Sequence, residues 1–148
     1  MITYLPGTPE TKQQMQVISE TNACDFICFD DHYFSVFALT DGKPIALIGA
    51  KIRSMSEPLR NQSEVYIDII EVAPAFYRQG IGTVLVKRVI EWATTNDATQ
   101  VRAWTEEDRE AALMLWHKMG FTFSRVDFQR GEEKRYGFYV ARRLSFLG

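Results

Sequence analysis

The sequence predicts one mixed α/β domain in which helices pack against a central sheet. With 148 residues, of which 46% are apolar and 24% charged, the chain has the size and composition of a single globular domain with a continuous core. Segments rich in β-branched and aromatic residues alternate with segments whose apolar residues recur every three to four positions. The sequence has no internal repeat or low-complexity segment, so neither a solenoid nor a disordered chain is expected.

The N-terminal half is predicted to contain one helix and one hairpin. Thr8 or the turn before it supplies the cap of the helix. Asp41 and Gly42 readily take the positive φ angles of a tight turn, which indicates a β-hairpin around them. Residues 21–33 show no clear pattern. The predicted elements are a strand at 2–5, a helix at about 8–20, strands at 35–39 and 44–53, and a loop at 55–62.

The C-terminal half is predicted to alternate strands and helices. A run rich in β-branched residues ends before Pro74, which cannot continue a sheet. After it, Ile81, Leu85, Val89 and Trp92 recur at helical spacing and predict an amphipathic helix. The predicted elements are a strand at 64–72, a helix at 80–95, a strand at 100–105, a helix at 109–119, and strands at 122–128 and 134–141 joined by a turn at 130–133.

The charge balance excludes some classes of partner. A net charge of −2 and a pI of about 5.7 leave no excess of Lys and Arg, so nucleic acid is not an expected partner. The first residues lack the basic and apolar segments of a signal peptide, and no apolar run is long enough to span a membrane. We therefore expect a cytoplasmic protein without a membrane partner.

The cysteines do not predict a metal site. Cys24 and Cys28 lie four positions apart, but the chain offers only His32 and His117 as further soft ligands and has no second cysteine pair. A disulfide is not expected in a reducing compartment. We expect no bound metal and two buried or half-buried thiols.

A glycine-containing turn between the strand at 64–72 and the following helix has the properties of an anion site. Gly80 and Gly82 allow the backbone to approach a ligand, and the first N–H groups of the helix have no intrahelical acceptor. Together with the helix dipole, these groups favour a phosphate or diphosphate. A Walker loop is disfavoured because no Gly-Lys-Ser/Thr sequence is present, and a dinucleotide fingerprint is disfavoured because Leu85 stands where a third glycine belongs.

Two segments resemble the motifs of the GCN5-related N-acetyltransferases, the GNAT family. Residues 72–82 resemble its acetyl-CoA signature, Val-x-Pro followed by (Arg/Gln)-x-x-Gly-x-(Gly/Ala), except that Tyr77 takes the Arg/Gln position. Residues 109–121 resemble its second helix, Asn-x-x-Ala-x-x-x-Tyr-x-x-x-Gly-Phe. In that helix Arg109 replaces the asparagine and Trp116 the tyrosine. The resemblance covers residues from about 35 to 141.

The resemblance implies a GNAT fold and acetyl-CoA as cosubstrate. That fold is a mixed, mostly antiparallel sheet of six to seven strands flanked by helices, with strands 4 and 5 splayed apart to admit the acetyl-pantetheine arm. Backbone groups of strand 4 would pair with this arm, Arg109 would lie near it, and the glycine turn would bind the diphosphate. The implied coenzyme-binding residues are Ile70, Glu71, Val72, Arg78, Gln79, Gly80, Ile81, Gly82, Thr83 and Arg109.

Transfer to an amine requires that the amine lose a proton, and a carboxylate can accept it. Asp68 is the first candidate, because strand alternation gives it the same face as Ile70 and Val72 and it resembles an acidic position used by some family members. The alternative is a satisfied or solvent-facing strand carboxylate. Tyr66 shares the same alternation and is a candidate to donate or orient. Glu71 is expected on the opposite face unless a bulge intervenes.

Trp116 is the third candidate catalytic residue. The family tyrosine at this position protonates the leaving thiolate, whereas an indole N–H donates a hydrogen bond but has no proton to lose near neutral pH. The alternative is that Trp116 is simply part of the core. Tyr136 and Tyr139 are other candidate acids, and release of the thiolate to solvent needs none.

The resemblance predicts an N-acetyltransferase that moves an acetyl group to the primary amine of an unidentified small molecule or peptide. A catalytically silent coenzyme-binding module and an interaction module without coenzyme stay open as alternatives, and a homodimer is a habit of the family. The aromatic residues between 26 and 37 either line an acceptor pocket or fill the core.

Overall fold

The structure, a computed structural model, describes residues 1–15 and 23–144. Within this part the chain forms a seven-stranded sheet and three α-helices, with short 3-10 turns at Ala23–Phe26 and Pro74–Phe76. The strands are β1 Ile2–Pro6, β2 Tyr33–Thr40, β3 Lys43–Ser54, β4 Ser63–Val72, β5 Gln100–Glu106, β6 Thr122–Arg130 and β7 Glu133–Arg143. The helices are α1 Pro9–Met15, α2 Ile81–Thr95 and α3 Glu110–Lys118.

The sheet opens between its fourth and fifth strands. The strand order is β1-β2-β3-β4-β5-β7-β6, and β4 and β5 are parallel whereas the other neighbours are antiparallel. β4 and β5 pair only over Glu64–Tyr66 and Gln100–Arg102, although β4 continues to Val72 and β5 to Glu106. The separation of the two strands beyond these residues confirms the predicted splay.

The two faces of the sheet are covered to different extents. On the back face α2 and α3 enclose the main core, in which Leu85 and Val89 of α2 and Val101 of β5 are fully buried. On the front face a smaller cluster of Ile27, Phe37, Leu39 and Leu47 packs with Ile69. The front side of β5 and β7 carries polar and aromatic side chains, among them Arg102, Trp104 and Tyr139.

Local sequence signals placed the turns correctly. Thr8 caps α1, because its Oγ1 accepts a hydrogen bond from the N–H of Thr11 at 3.2 Å. The β2–β3 turn has positive φ at both Asp41 and Gly42, as the hairpin prediction requires. The last hairpin has a shorter turn than predicted, since β6 reaches Arg130 and β7 begins at Glu133. The predicted helix at 8–20 is described as far as Met15, and its remainder lies outside the described residues.

The expectations for residues 21–37 are met in part. Phe37 is fully buried and Phe34 stacks on Trp92 at 5.1 Å, but Phe26 and Phe29 are exposed. Cys28 is exposed, so the prediction of a buried thiol is wrong there. The reason is that the neighbouring Ile27 packs over Gly49 of β3, which turns the next side chain outward. The Cys24 side chain lies outside the described part.

Neither a membrane span nor a metal centre is found in the described residues. No helix there has the length and apolar content to cross a bilayer. Across residues 1–15 and 23–144, no three or more His, Cys, Asp or Glu side chains are grouped to hold a metal ion.

Candidate functional site

The glycine turn presents free backbone donors beside the open end of the sheet. Gly80 is the N-cap of α2 with φ 76°, no side chain caps the helix, and Arg78 also has a positive φ of 64°. The first helical hydrogen bond joins Val84 N–H to the Gly80 carbonyl, so the N–H groups of Ile81, Gly82 and Thr83 have no intrahelical acceptor. An anion is the natural partner of such a helix start.

The two glycines of the turn have different structural roles. A Cβ at Gly80 would meet nothing within 4 Å, so this position needs glycine for its left-handed backbone. A Cβ at Gly82 would lie 3.2 Å from Leu115 Cδ2 of α3. Sequence reasoning explained both glycines by close approach of a ligand, and it missed that Gly82 also lets α2 and α3 pack closely.

A bulge in β4 determines which side chains share a face. Gly49 of β3 pairs with Ile69 and Ala50 pairs with Ile67, which leaves Asp68 as the extra residue. Ile67 and Ile70 both pack in the back core, whereas Ile69 packs in the front cluster. Three positions apart, Ile67 and Ile70 would lie on opposite faces of a regular strand, and the extra residue of the bulge puts both on the back face.

Asp68 lies on the front face, where the alternation from Tyr66 places it, and the bulge changes the face of the residues that follow it. Its Oδ1 lies 3.4 Å from Nζ of Lys51, whose Cα partner is Tyr66, and the Lys51 ammonium lies 5.9 Å from the Tyr66 ring centroid. Asp68 and Tyr66 thus share a face, as expected. The expectation that Asp68 also shares a face with Ile70 and Val72 is wrong, because strict alternation does not hold through a bulge.

The two front-face candidates have perturbed acidities. Burial raises the pKa of Asp68, and the neighbouring Lys51 only partly opposes this. Burial is also the main cause that raises the pKa of Tyr66. A carboxylate with a raised pKa is a stronger base than an exposed aspartate, and a tyrosine with a raised pKa stays protonated at neutral pH.

Trp116 of α3 is buried in the back core. Its side chain is 1% exposed and its ring lies 4.8 Å from that of Phe121, so the core interpretation is correct as far as packing goes. Its Nε1 nevertheless finds no hydrogen-bond partner among the described residues, and the same holds for Oγ1 of Thr105 on β5. Unpaired buried donors are rare, and a bound molecule is one way to satisfy them.

The remaining candidates lie at three separate places. Arg109 is the N-cap of α3 and exposed, and its N–H donates to the Glu106 carbonyl at 3.1 Å. Tyr139 lies on the front face of β7, 4.9 Å from Trp104. Tyr136 lies on the other face with Phe138, which packs against the back core.

A charged and aromatic arrangement on the front face was missed by the sequence analysis. Glu64 of β4 is 4% exposed and binds Nε of Arg53 at 2.9 Å and Nε2 of Gln100 at 2.9 Å. Arg53 and Arg102 stand over the rings of Tyr66 and Tyr139, each at 4.4 Å. The available signal was the alternation of charged or aromatic residues with apolar ones in β3, β4 and β5.

Comparison with known proteins identifies the family. A family model described as the acetyltransferase (GNAT) family matches residues 4–121. The chain belongs to the GNAT family. A curated relative of this GNAT protein, an uncharacterized N-acetyltransferase from Methanocaldococcus jannaschii, is 27% identical over 81 residues, which make up 55% of this chain and 35% of the relative. The chain thus spans about a third of the length of that relative.

Solved structures share the GNAT fold over nearly the whole chain. Arabidopsis thaliana NAA60 in complex with a bisubstrate analogue has a TM-score of 0.79 and 17% identity, covering 97% of this chain and 98% of its own. The ribosomal-protein-S18-alanine N-acetyltransferase from Escherichia coli has a TM-score of 0.77 and 17% identity, covering 100% and 97%. At such identities the likeness concerns the fold, and it confirms the predicted fold class.

Proposed function

We propose that this GNAT protein transfers an acetyl group from acetyl-CoA to the primary amine of an acceptor by direct attack. The observation that carries the proposal is the separation of β4 and β5 next to the uncapped start of α2. Membership of an acetyltransferase family supports it. NAA60 has also been solved with acetyl-CoA, and a structure of the NatC complex holds CoA and a Gag peptide.

The start of α2 is proposed to bind the coenzyme diphosphate. The N–H groups of Gly80, Ile81, Gly82 and Thr83 donate to its oxygens, helped by the helix dipole. Arg78 and Gln79 are exposed in the same turn, where their side chains add donors for phosphate. Tyr77, at the position of the family Arg or Gln, is not needed for these backbone contacts.

The opening between β4 and β5 is proposed to hold the acetyl-pantetheine arm. Backbone groups of Ile70, Glu71 and Val72 pair with the arm where β5 no longer pairs with β4. The indole N–H of Trp116 donates a hydrogen bond to it, which satisfies a buried donor, and Arg109 borders it at the start of α3. The bound coenzyme supplies a thioester that is activated towards amines.

The acceptor amine is proposed to approach from the front face. Asp68 accepts the proton of the amine, directly or through one water molecule, and its raised pKa suits this task. As the C–N bond forms, the C–S bond breaks and coenzyme A leaves as a thiolate that is released to solvent. Tyr66 orients the amine beside it. Because the opening lies between two strands, an amine on the front face and a coenzyme anchored at α2 behind the sheet can meet there.

One observation favours a second candidate, a coenzyme-binding protein without catalysis. Trp116 takes the place of the family tyrosine and cannot protonate the leaving thiolate. Such a protein would bind acetyl-CoA and transfer nothing.

Two measurements test the proposal. Acetyl-CoA at one hundred times its Kd should stabilise the folded protein by about 2.7 kcal/mol, which raises Tm by several degrees. A panel of amines, with detection of free CoA thiol and the mass gain of one acetyl group, should then identify an acceptor. Stabilisation without any transfer indicates the silent binder. Absence of both effects contradicts the proposal.

A further inference from the structure

A cavity lies on the front face at the start of β4, where β4 and β5 pair. Its volume is about 300 Å³. Arg53, Glu64, Gln100 and Arg102 form its floor, and the loop 54–59 forms its wall. None of these residues belongs to the proposed coenzyme site. The cavity therefore requires an explanation of its own.

The floor of the cavity carries a surplus positive charge. Its floor has two guanidinium groups and the single carboxylate of Glu64, which lies 2.9 Å from Nε of Arg53 and 3.9 Å from a terminal nitrogen of Arg102. The other oxygen of Glu64 is taken by Gln100. In the wall, the exposed carboxylate of Glu57 is opposed by Arg60 at 3.4 Å. The floor, with two guanidinium groups and one carboxylate, therefore has one positive charge in excess.

The two guanidinium groups are held in place with donors to spare. Each guanidinium group has five N–H donors. Of these ten donors, only Nε of Arg53 donates a hydrogen bond to a side chain within the part of the chain that the structure describes. Each group stands 4.4 Å from a tyrosine ring, Arg53 over Tyr66 and Arg102 over Tyr139. Groups fixed in this way lose little entropy when they bind an anion.

The cavity lies at a defined distance from the proposed base. Tyr66 is two residues and Glu64 four residues from Asp68 along an extended strand, which corresponds to about 7 to 13 Å. We infer that the acceptor is a primary amine carrying a carboxylate about 7–13 Å from its nitrogen, and that Arg53 and Arg102 bind that carboxylate. A planar monoanion matches both the guanidinium fork and the single surplus charge. This inference rests on the proposed function.

The test compares trialanine with trialanine amide. Both carry the same amine, and the extended tripeptide places its terminal group about 10 Å away, but only the acid has a carboxylate. We expect kcat/KM for the acid to exceed that for the amide at least tenfold. Arg102→Gln should reduce this ratio to about one, and Arg102→Lys should retain part of it. Melting curves of both variants establish that they fold.

Arg125→Gln is the matched control. Arg125 also stands over a tyrosine ring, that of Tyr136 at 3.8 Å, and pairs with Asp127 at 3.0 Å, but it lies on β6 away from the cavity. The ratio should not change in this variant. Equal rates for acid and amide in the wild type, or a ratio that Arg102→Gln leaves intact, would overturn the inference while the proposed function stands.

Calorimetry separates the two proposals if neither peptide is acetylated. In the presence of CoA, trialanine should bind at least tenfold more tightly than its amide, and Arg102→Gln should remove the difference. Such binding without transfer to any amine supports the carboxylate site and contradicts the proposed function. Equal or absent binding of the two peptides overturns the inference.

Discussion

Asp68, the proposed general base, has a local structure that suits this role. It is the extra residue of the bulge on the front face, its side chain is 10% exposed, and the Lys51 ammonium group lies 3.4 Å away. Desolvation disfavours its charged form more than Lys51 favours it, so its pKa is raised. A structural carboxylate paired for stability usually shows the opposite shift.

We expect Asp68→Asn to lower kcat/KM by about 10²–10⁴-fold, because the general base is lost. The slope of log kcat/KM against pH distinguishes a general base from a structural carboxylate. Each required deprotonation adds one unit to the slope of log kcat/KM, so the wild type should steepen from one to two below the pKa of Asp68, whereas the variant should stay at one. Asp127→Asn, at an exposed residue of β6, should keep the wild-type profile.

Stability should respond differently from activity at the same residue. Because the pKa of Asp68 is raised on folding, its contribution to stability is present below the unfolded value of about 3.9 and is lost as the pH rises through the folded value. At pH 7 Asp68→Asn should therefore melt no lower than the wild type. A Tm several degrees lower would mean that the pair with Lys51 serves mainly the fold.

Trp116 allows a test of the unpaired indole donor. Trp116→Phe removes the N–H that finds no partner within residues 1–15 and 23–144 and keeps an aromatic ring. If that N–H binds the coenzyme arm, the Kd of acetyl-CoA should rise about 2- to 12-fold, the value of one hydrogen bond. Trp92→Phe, at the ring stacked on Phe34, should leave the Kd unchanged. Equal acetyl-CoA affinities of the wild type and both variants would mean that Trp116 contributes only to core packing.

At the scale of elements, the start of α2 depends on the left-handed backbone of Gly80. Gly80→Ala should destabilise the protein by about 1–2 kcal/mol, since a side chain is disfavoured at φ 76°. It should also weaken acetyl-CoA binding, because the backbone donors of the turn shift. Titration calorimetry and urea unfolding measure the two effects.

Gly131→Ala separates backbone cost from ligand binding. Gly131 has φ 62° and, like Gly80, nothing within 4 Å of an added Cβ, but it lies in the β6–β7 turn. Both variants should lose similar stability, and only Gly80→Ala should lose affinity. The same loss of affinity in both would remove the start of α2 from the coenzyme site.

At the scale of the molecule, stability rests on the back core between the sheet and its helices. Leu85 of α2 is fully buried there, so Leu85→Ala should reduce the free energy of unfolding by about 2–5 kcal/mol. Met114 of α3 is 71% exposed, and Met114→Ala should change it by no more than about 0.5 kcal/mol. Similar losses in urea unfolding would contradict this division.

The sequence by itself determined the order of elements, their turns and the family. Helical spacing, Asp41-Gly42 and the glycines at 80 and 120 act within a few residues, so local chemistry is enough to predict them. Both motifs lie in such segments, and the glycine turn therefore lies where the sequence predicts it. The same local rules left both a catalytic role and a core position open for Trp116.

Only the tertiary structure decided the faces and the partners of the side chains. The bulge at Asp68 depends on how β4 pairs with β3, and no periodicity within β4 reveals it. The cavity joins Arg53, Glu64 and Arg102 from three strands, which lie far apart in sequence and meet through the strand order. Register and burial arise from contacts between distant segments, and they determine which charges face each other and why the pKa of Asp68 is raised.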